Sequence, residues 1–354
     1  MRPVRGAQTS GRLPGILLLG AVLAFLLPAL ASAQPFGGWL VLDGNNANYI
    51  EIPANEALNP TTGFTFEAWV KITNADACVS FAGKDWTKGW WVGICDGHFR
   101  SYLQGYTGSG GAGTPFDTGH LPIDVWTHMA VVWDGVNHIH YVNGVNVGHR
   151  AEGAPTRTTA AVRIGSDVSW QHTPAGQIDE VSLWNVGRTQ AQILQDMTGP
   201  ITGPVQGLVA VWSFNGNARD AVAVYNGTVH GTVAFGAPAP PAGPWLTTSQ
   251  IPGFQFKVRI NAGTPLTGVQ ESDCIPETLC VSGSVPGRSE VLVRIVGPKP
   301  NGYLWPNVVK FNTAQVEVWI QQTGSAVTKY YILPGAWPGL DDLPGLYDRT
   351  GFLP

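Results

Sequence analysis

Charge is scarce in this chain. Asp, Glu, Lys and Arg together make up 12% of its 354 residues, about half the usual share. The 20 Lys and Arg are thinly spread against 24 Asp and Glu, giving a net charge of −4. No basic patch is left to neutralise phosphates, so nucleic-acid binding finds no support. Catalytic signatures are missing too. The sequence has no Gly-x-Ser-x-Gly, no His-Glu-x-x-His and no phosphate-binding glycine loop. Cysteine is limited to Cys78, Cys95, Cys274 and Cys280. Four cysteines allow three pairing schemes, and their positions favour the local one, Cys78–Cys95 with Cys274–Cys280. They form no closed set of four ligands with zinc-ribbon spacing.

The chain is rich in turn formers and aromatics. It carries 45 Gly, 27 Pro, 14 Trp and 13 Phe, and 44% of it is hydrophobic. That is enough apolar surface for a core, so global disorder is excluded. The N-terminus joins Arg2, Arg5 and Arg12 to an apolar run from Ile16 to Ala31 and a small-residue exit, Ala31-Ser32-Ala33. This pattern reads as a signal peptide over residues 1–33, which places the mature chain outside the cytoplasm with its cysteines oxidised. Beyond it, no stretch is apolar enough to span a bilayer.

Short alternating segments follow. In Phe64–Ile72, the residues Phe64, Phe66, Ala68, Val70 and Ile72 share one face, a period of two that marks a half-buried strand. Trp69 falls on the other face. Asp96-Gly97 and Asn143-Gly144 are hairpin turns. Only Thr189–Met197 changes to a helical period, with Thr189 as N-cap, Ala191 and Leu194 on the expected apolar face and Ile193 and Met197 as further candidates for it. About eleven strands at this spacing argue for an all-β sandwich. Residues 236–247 (GAPAPPAGPWLT) form a Pro/Gly-rich linker. A smaller β-rich region, 248–354, is expected after it.

The fragments WLVLDGNNANYIEIP, GFTFEAWVKI, DVWTHMAVVWDGVNHIHYVNGVNVG, VRIGSD and GQIDEVSLWNVGRTQAQILQDM occur in order across residues 38–235. Together they resemble a laminin-G-like jelly roll of the concanavalin A-like lectin/glucanase group. The region after the linker resembles a C-terminal β module of bacterial envelope proteins. The first resemblance implies an extracellular binding or adhesion module whose ligand is a glycan or a protein. It also implies a calcium ion near Asp43 and Asp179. Asp43 in Asp-Gly-Asn-Asn reads equally well as a turn residue, and calcium needs six to eight oxygens.

Three functions remain to be weighed. A binding surface would sit on loops, and Trp86 and Trp91 are the candidate sugar-stacking residues. Packing against a sheet edge is the plainer reading of both. A structural subunit of an envelope assembly is the alternative. A glycoside hydrolase needs paired carboxylates, and Asp179-Glu180 are adjacent, which on a regular strand points them to opposite faces. His138 and His140 share a face and supply two metal ligands without a visible third.

Overall fold

The computed structural model describes residues 36–354 apart from 61, 75–76, 106–112, 202–203, 222–224, 241, 243–244, 248, 250, 262–264, 268, 271–277, 283–290, 297–304, 311–314, 325–327, 334–344 and 348–354. The expected signal peptide and Cys274 lie outside the described residues.

The chain opens with β1 (Trp39–Asp43), β2 (Tyr49–Ile52), β3 (Phe64–Ile72), β4 (Val79–Gly83) and β5 (Trp91–Cys95). Next come β6 (His98–Tyr102), β7 (Phe116–His120), β8 (Thr127–Trp133), β9 (Asn137–Val142) and β10 (Val145–Ala151). β11 (Val162–Ile164) and β12 (Ala175–Trp184) precede the helix α1 (Gln190–Asp196). β13 (Leu208–Trp212), β14 (Thr228–His230) and β15 (Ala234–Gly236) follow. The first sheet has the order β10-β9-β8-β3-β12-β1-β15, with β13 also paired to β12. The second has the order β14-β2-β11-β4-β5-β6-β7.

Alternation explains the core between them. Phe64, Phe66, Ala68, Val70 and Ile72 of β3 share one buried cluster with Val92 and Ile94 of β5 and Phe99 of β6. Each large apolar side chain buried there contributes roughly 1.5–3 kcal/mol. Trp69 faces the other way, as its place in the repeat predicts, yet it is 1% exposed. The hairpins are set by left-handed turn residues. Asp96 and Gly97 have φ of 49° and 80°, and Asn143 and Gly144 have 48° and 73°. This is the geometry that matches strand twist.

Two expectations need correction. In α1, Thr189 caps the helix in a capping box with Gln192, as its sequence suggests. Of the four candidates for its apolar face, Ile193 is buried and Met197 half-buried, whereas Ala191 is exposed, and so is Leu194, at 45%. The helix is two turns long and touches the outer face of the first sheet through Ile193, which packs with Ala130, Val132 and Tyr141. The second correction concerns Asp179-Glu180. The register of β12 against β3 shifts between Asp179 and Ser182, and Glu180 has φ 46°. This bulge interrupts the alternation. Glu180 accepts a hydrogen bond from Ser213 (3.2 Å) beside Asp179 instead of occupying the opposite face.

Beyond β15 the strands are β16 (Leu246–Thr247), β17 (Phe254–Asn261), β18 (Pro265–Thr267), β19 (Val269–Gln270) and β20 (Leu279–Ser282). They continue with β21 (Val291–Val296), β22 (Trp305–Lys310), β23 (Gln315–Gln322), β24 (Thr328–Leu333) and β25 (Gly345–Tyr347). One sheet runs β16-β17-β23-β24 with β18 on β17, the other β19-β20-β21-β22-β25. Their core is a separate cluster that includes Phe256, Val258, Val293 and Val318. Outside that core, Trp319 and Tyr330 form a further cluster with Phe36 and Trp245. There the Trp319 indole N–H donates to the Pro238 carbonyl (2.9 Å). Within the described residues, no helix is long and apolar enough to cross a membrane.

Candidate functional site

The outer face of the second sheet carries the site. Val92 and Ile94 of β5 point into the core, so Trp91 and Cys95 point out. On β6, Phe99 is in the core, so Arg100 and Tyr102 point out. Cys78, just before β4, is bonded to Cys95. Cys280 is also disulfide-bonded.

Gly93 sits between Trp91 and Cys95. A Cβ there would lie 2.5 Å from the Trp91 ring and 2.1 Å from the Val79 carbonyl. The missing side chain lets the indole lie down over the strand. Its N–H donates to Ser80 Oγ at 2.7 Å, which holds the ring in place.

Two loops add the walls. Trp86 comes from the turn after β4, and Trp170 from the segment between β11 and β12. Two acids tie these loops together. Asp167 accepts from the Trp86 backbone N–H (3.2 Å) and the Ser169 backbone N–H (2.8 Å). Asp85 accepts from the Ser169 hydroxyl (2.8 Å) and the Thr87 hydroxyl (2.6 Å). Burial, and secondarily the Asp85 charge, raise the Asp167 carboxyl above its ordinary range. Burial also pulls Asp85 upward. Hydrogen bonds from Thr87 and Ser169 outweigh that pull, and Asp85 sits below its ordinary value.

The result is a cleft of about 270 Å³ lined by the disulfide, Trp86, Trp91, Tyr102, Trp170, Arg100 and Pro115. Trp86 and Trp170 meet edge-on at 5.5 Å, and Trp91 and Tyr102 meet tilted at 5.7 Å. Arg100 is forked onto Asp117 of β7, with Nε to Oδ1 at 2.5 Å and Nη2 to Oδ2 at 2.6 Å. The two tryptophans singled out in the sequence therefore share one cleft. Arg100, Tyr102 and Trp170 were not anticipated. Arg100 and Tyr102 could have been found from the alternation of β6 about Phe99. Trp170 stands in a polar turn segment, GSDVSWQHTP, where no core needs it.

On the inner side of β6 lies a polar network. Ser101 Oγ is 2.7 Å from His138 Nε2 and 2.6 Å from His140 Nε2. Glu152 is 2.7 Å from His138 Nδ1, and Thr118 Oγ1 is 2.9 Å from His140 Nδ1. A neutral network has one consistent proton order. His138 donates from Nδ1 to Glu152 and accepts the Ser101 proton at Nε2, while His140 donates from Nε2 to Ser101 and accepts from Thr118. This is the arrangement of a Ser-His-Glu relay, but Ser101, His138 and His140 are each 0% exposed. Burial holds both imidazoles below their ordinary pKa. The network pins β6 and β7 to β9. It does not assemble a metal site: no cluster of three His, Cys, Asp or Glu among the described residues could hold an ion.

The structure does not bring Asp43 and Asp179 together. Asp43 is exposed and accepts from Asn45 N–H and Asn48 Nδ2, both at 2.9 Å. These two hydrogen bonds, the Asn45 one foremost, lower its carboxyl below the ordinary range. Asp43 pairs with Ala175. Asp179 is four residues further along the same strand, roughly 13 Å at strand rise. One calcium, with ligands about 2.3–2.6 Å away, does not fit between them. Asp179 is 0% and Glu180 7% exposed. Burial raises Asp179 well above the carboxylate range and pushes Glu180 up to about 8.

Residues 43–194 match the family model described as the concanavalin A-like lectin/glucanases superfamily, in its laminin-G form. The matched stretch lies within the jelly roll. Among solved structures, this chain is similar to a candidate carbohydrate-binding protein from Bacteroides ovatus, at 18% identity and TM-score 0.49. That match covers 59% of this chain and 62% of the other. It is also similar to domain 4 of an extracellular arabinanase from Geobacillus stearothermophilus, solved with arabinotriose. There the identity is 21% and the TM-score 0.37, over 46% of this chain and 78% of that one. A third is the CBM40 of a Ruminococcus gnavus sialidase bound to α2,3 sialyllactose, at 15% identity and TM-score 0.37. It aligns over 47% of this chain and 99% of the other. No curated protein matches the sequence.

Proposed function

We propose that this is a secreted, non-catalytic carbohydrate-binding protein whose site is the aromatic cleft of the second sheet. The observation that carries the reading is the convergence of Trp86, Trp91, Tyr102 and Trp170 on one cleft. Aromatic rings offer large apolar faces on which the C–H faces of a sugar can pack. Arg100 adds N–H donors for hydroxyls, matching the pattern of an apolar pocket with few polar groups. Among the described residues that line the cleft there is no carboxylate, whereas glycoside hydrolysis needs two beside the scissile bond. The cleft-floor disulfide and the leader read at residues 1–33 support an oxidising, extracytoplasmic location.

A glycan array followed by calorimetric titration of the best hit tests this. Trp170→Ala should weaken binding about tenfold or more with the fold intact. Sugar binding that survives both Trp170→Ala and Trp86→Ala unchanged would remove the cleft from the reading.

A further inference from the structure

The charge and shape of the cleft narrow its ligand. We propose that the cleft takes a single uncharged sugar ring at the end of a glycan chain, an inference that rests on the carbohydrate-binding reading above. Shape is the first argument. A polysaccharide bound along its length, or on a crystalline surface, needs aromatic rings lying in one plane. Here Trp86 stands at 69° to Trp170 and 58° to Tyr102, and Trp91 at 60° to Tyr102. These rings form corners around a pocket, not a platform. Its volume, about 270 Å³, lies just under the roughly 300 Å³ at which drug-sized pockets begin. That is space for one ring and its hydroxyls, with the rest of the chain outside.

Charge is the second argument. Arg100 is the one charged side chain among the described residues lining the cleft. An unpaired arginine there would select a carboxylate-bearing sugar through a bidentate fork. That fork is already taken: Asp117 holds both Nε and Nη2. Arg100 has five N–H bonds, and the three not used by Asp117 remain as donors to neutral oxygens. The carboxylate beside it opposes a second anion. The pair therefore offers hydrogen bonds without net charge.

The test is calorimetric titration with methyl glycosides of neutral hexoses and pentoses, their di- and tetrasaccharides, and glucuronate and galacturonate. The expected result is a neutral monosaccharide or disaccharide that binds within about threefold of its tetrasaccharide, and uronates about tenfold weaker. Asp117→Asn should free the Arg100 charge and shift the uronate-to-neutral affinity ratio about tenfold toward uronate. A loss of fold or packing would weaken both ligands alike. Affinity that climbs with every added ring, or uronates that outbind neutral sugars in the unaltered protein, overturns this proposal while leaving the carbohydrate reading standing. Binding of no sugar at all, with Trp170→Ala indistinguishable from the parent, overturns both.

Discussion

The two outer faces of the jelly roll use the same residue types to opposite ends. On the first sheet, Trp69 and Trp184 are 1% and 0% exposed. They lie among Glu67, His128, Asp179 and Ser182, all of them buried. Trp184 donates to Ser182 Oγ at 2.9 Å, and the Arg188 guanidinium lies 3.9 Å over its ring. Arg188 is in turn paired with Asp196 of α1. On the second sheet, Trp86 and Trp170 keep part of their surface open around a cleft. The difference lies in what covers each face. Tryptophan outside the main core is fully enclosed on the first face and only partly enclosed on the second.

The comparison can be broken by substitution. Trp184→Ala should cost about 3–5 kcal/mol, since a large buried ring leaves a cavity, and denaturant unfolding reads that loss. Next in size, Cys78→Ser with Cys95→Ser should lower stability by about 3 kcal/mol, given the sequence separation of 17. The same change removes the cleft floor, so sugar affinity should fall with it in calorimetry.

The buried titratable groups of the first face should make it pH-sensitive in both directions. Glu180, raised to about 8, keeps its proton when folded and loses it above its ordinary value when unfolded. Its contribution is therefore present at low pH and lost as pH rises from about 4.5 to 8. Glu180→Gln should be more stabilising at pH 8 than at pH 4.5, as a pH series of denaturation curves would show. His128 has the opposite sign. Burial lowers it to about 3, so it is neutral when folded, and stability is lost as pH falls from about 6.5 toward 3. His128→Gln should flatten that acid limb. The smallest effect belongs to the open face: Trp170→Ala should change stability by less than about 1 kcal/mol while weakening sugar binding. A thermal shift as large as that of Trp184→Ala would erase the distinction between the faces.

The sandwich was legible because strand alternation is a local signal. β3 and the hairpins at Asp96-Gly97 and Asn143-Gly144 appear where their residues require. The bulge at Asp179–Ser182 was not, because a period of two carries no mark of one extra residue. That residue changed the geometry of an acid pair. The cleft was half legible. Trp86 and Trp91 lie close in sequence, but Trp170 is brought to them by contacts that span about 80 positions, among them the Ser169–Asp85 hydrogen bond and its own edge-on contact with Trp86. Pairing across such distance is set by how β11 falls beside β4, which no local pattern records. The helix was placed and Ile193 was among the candidates for its buried face, but Ala191 and Leu194 were misjudged, since a two-turn helix buries only a narrow strip against its sheet.

Gly93 sets the depth of the cleft. The Trp91 indole rests where a side chain would otherwise stand, with its edge 2.5 Å from the place of the absent methyl group. Any larger residue must either push β4 away or stand the indole upright into the space a ligand would fill. A single codon thus acts as a stop on pocket depth, and among relatives of this fold the residue at this position would sort deep pockets from shallow ones before any ligand is known.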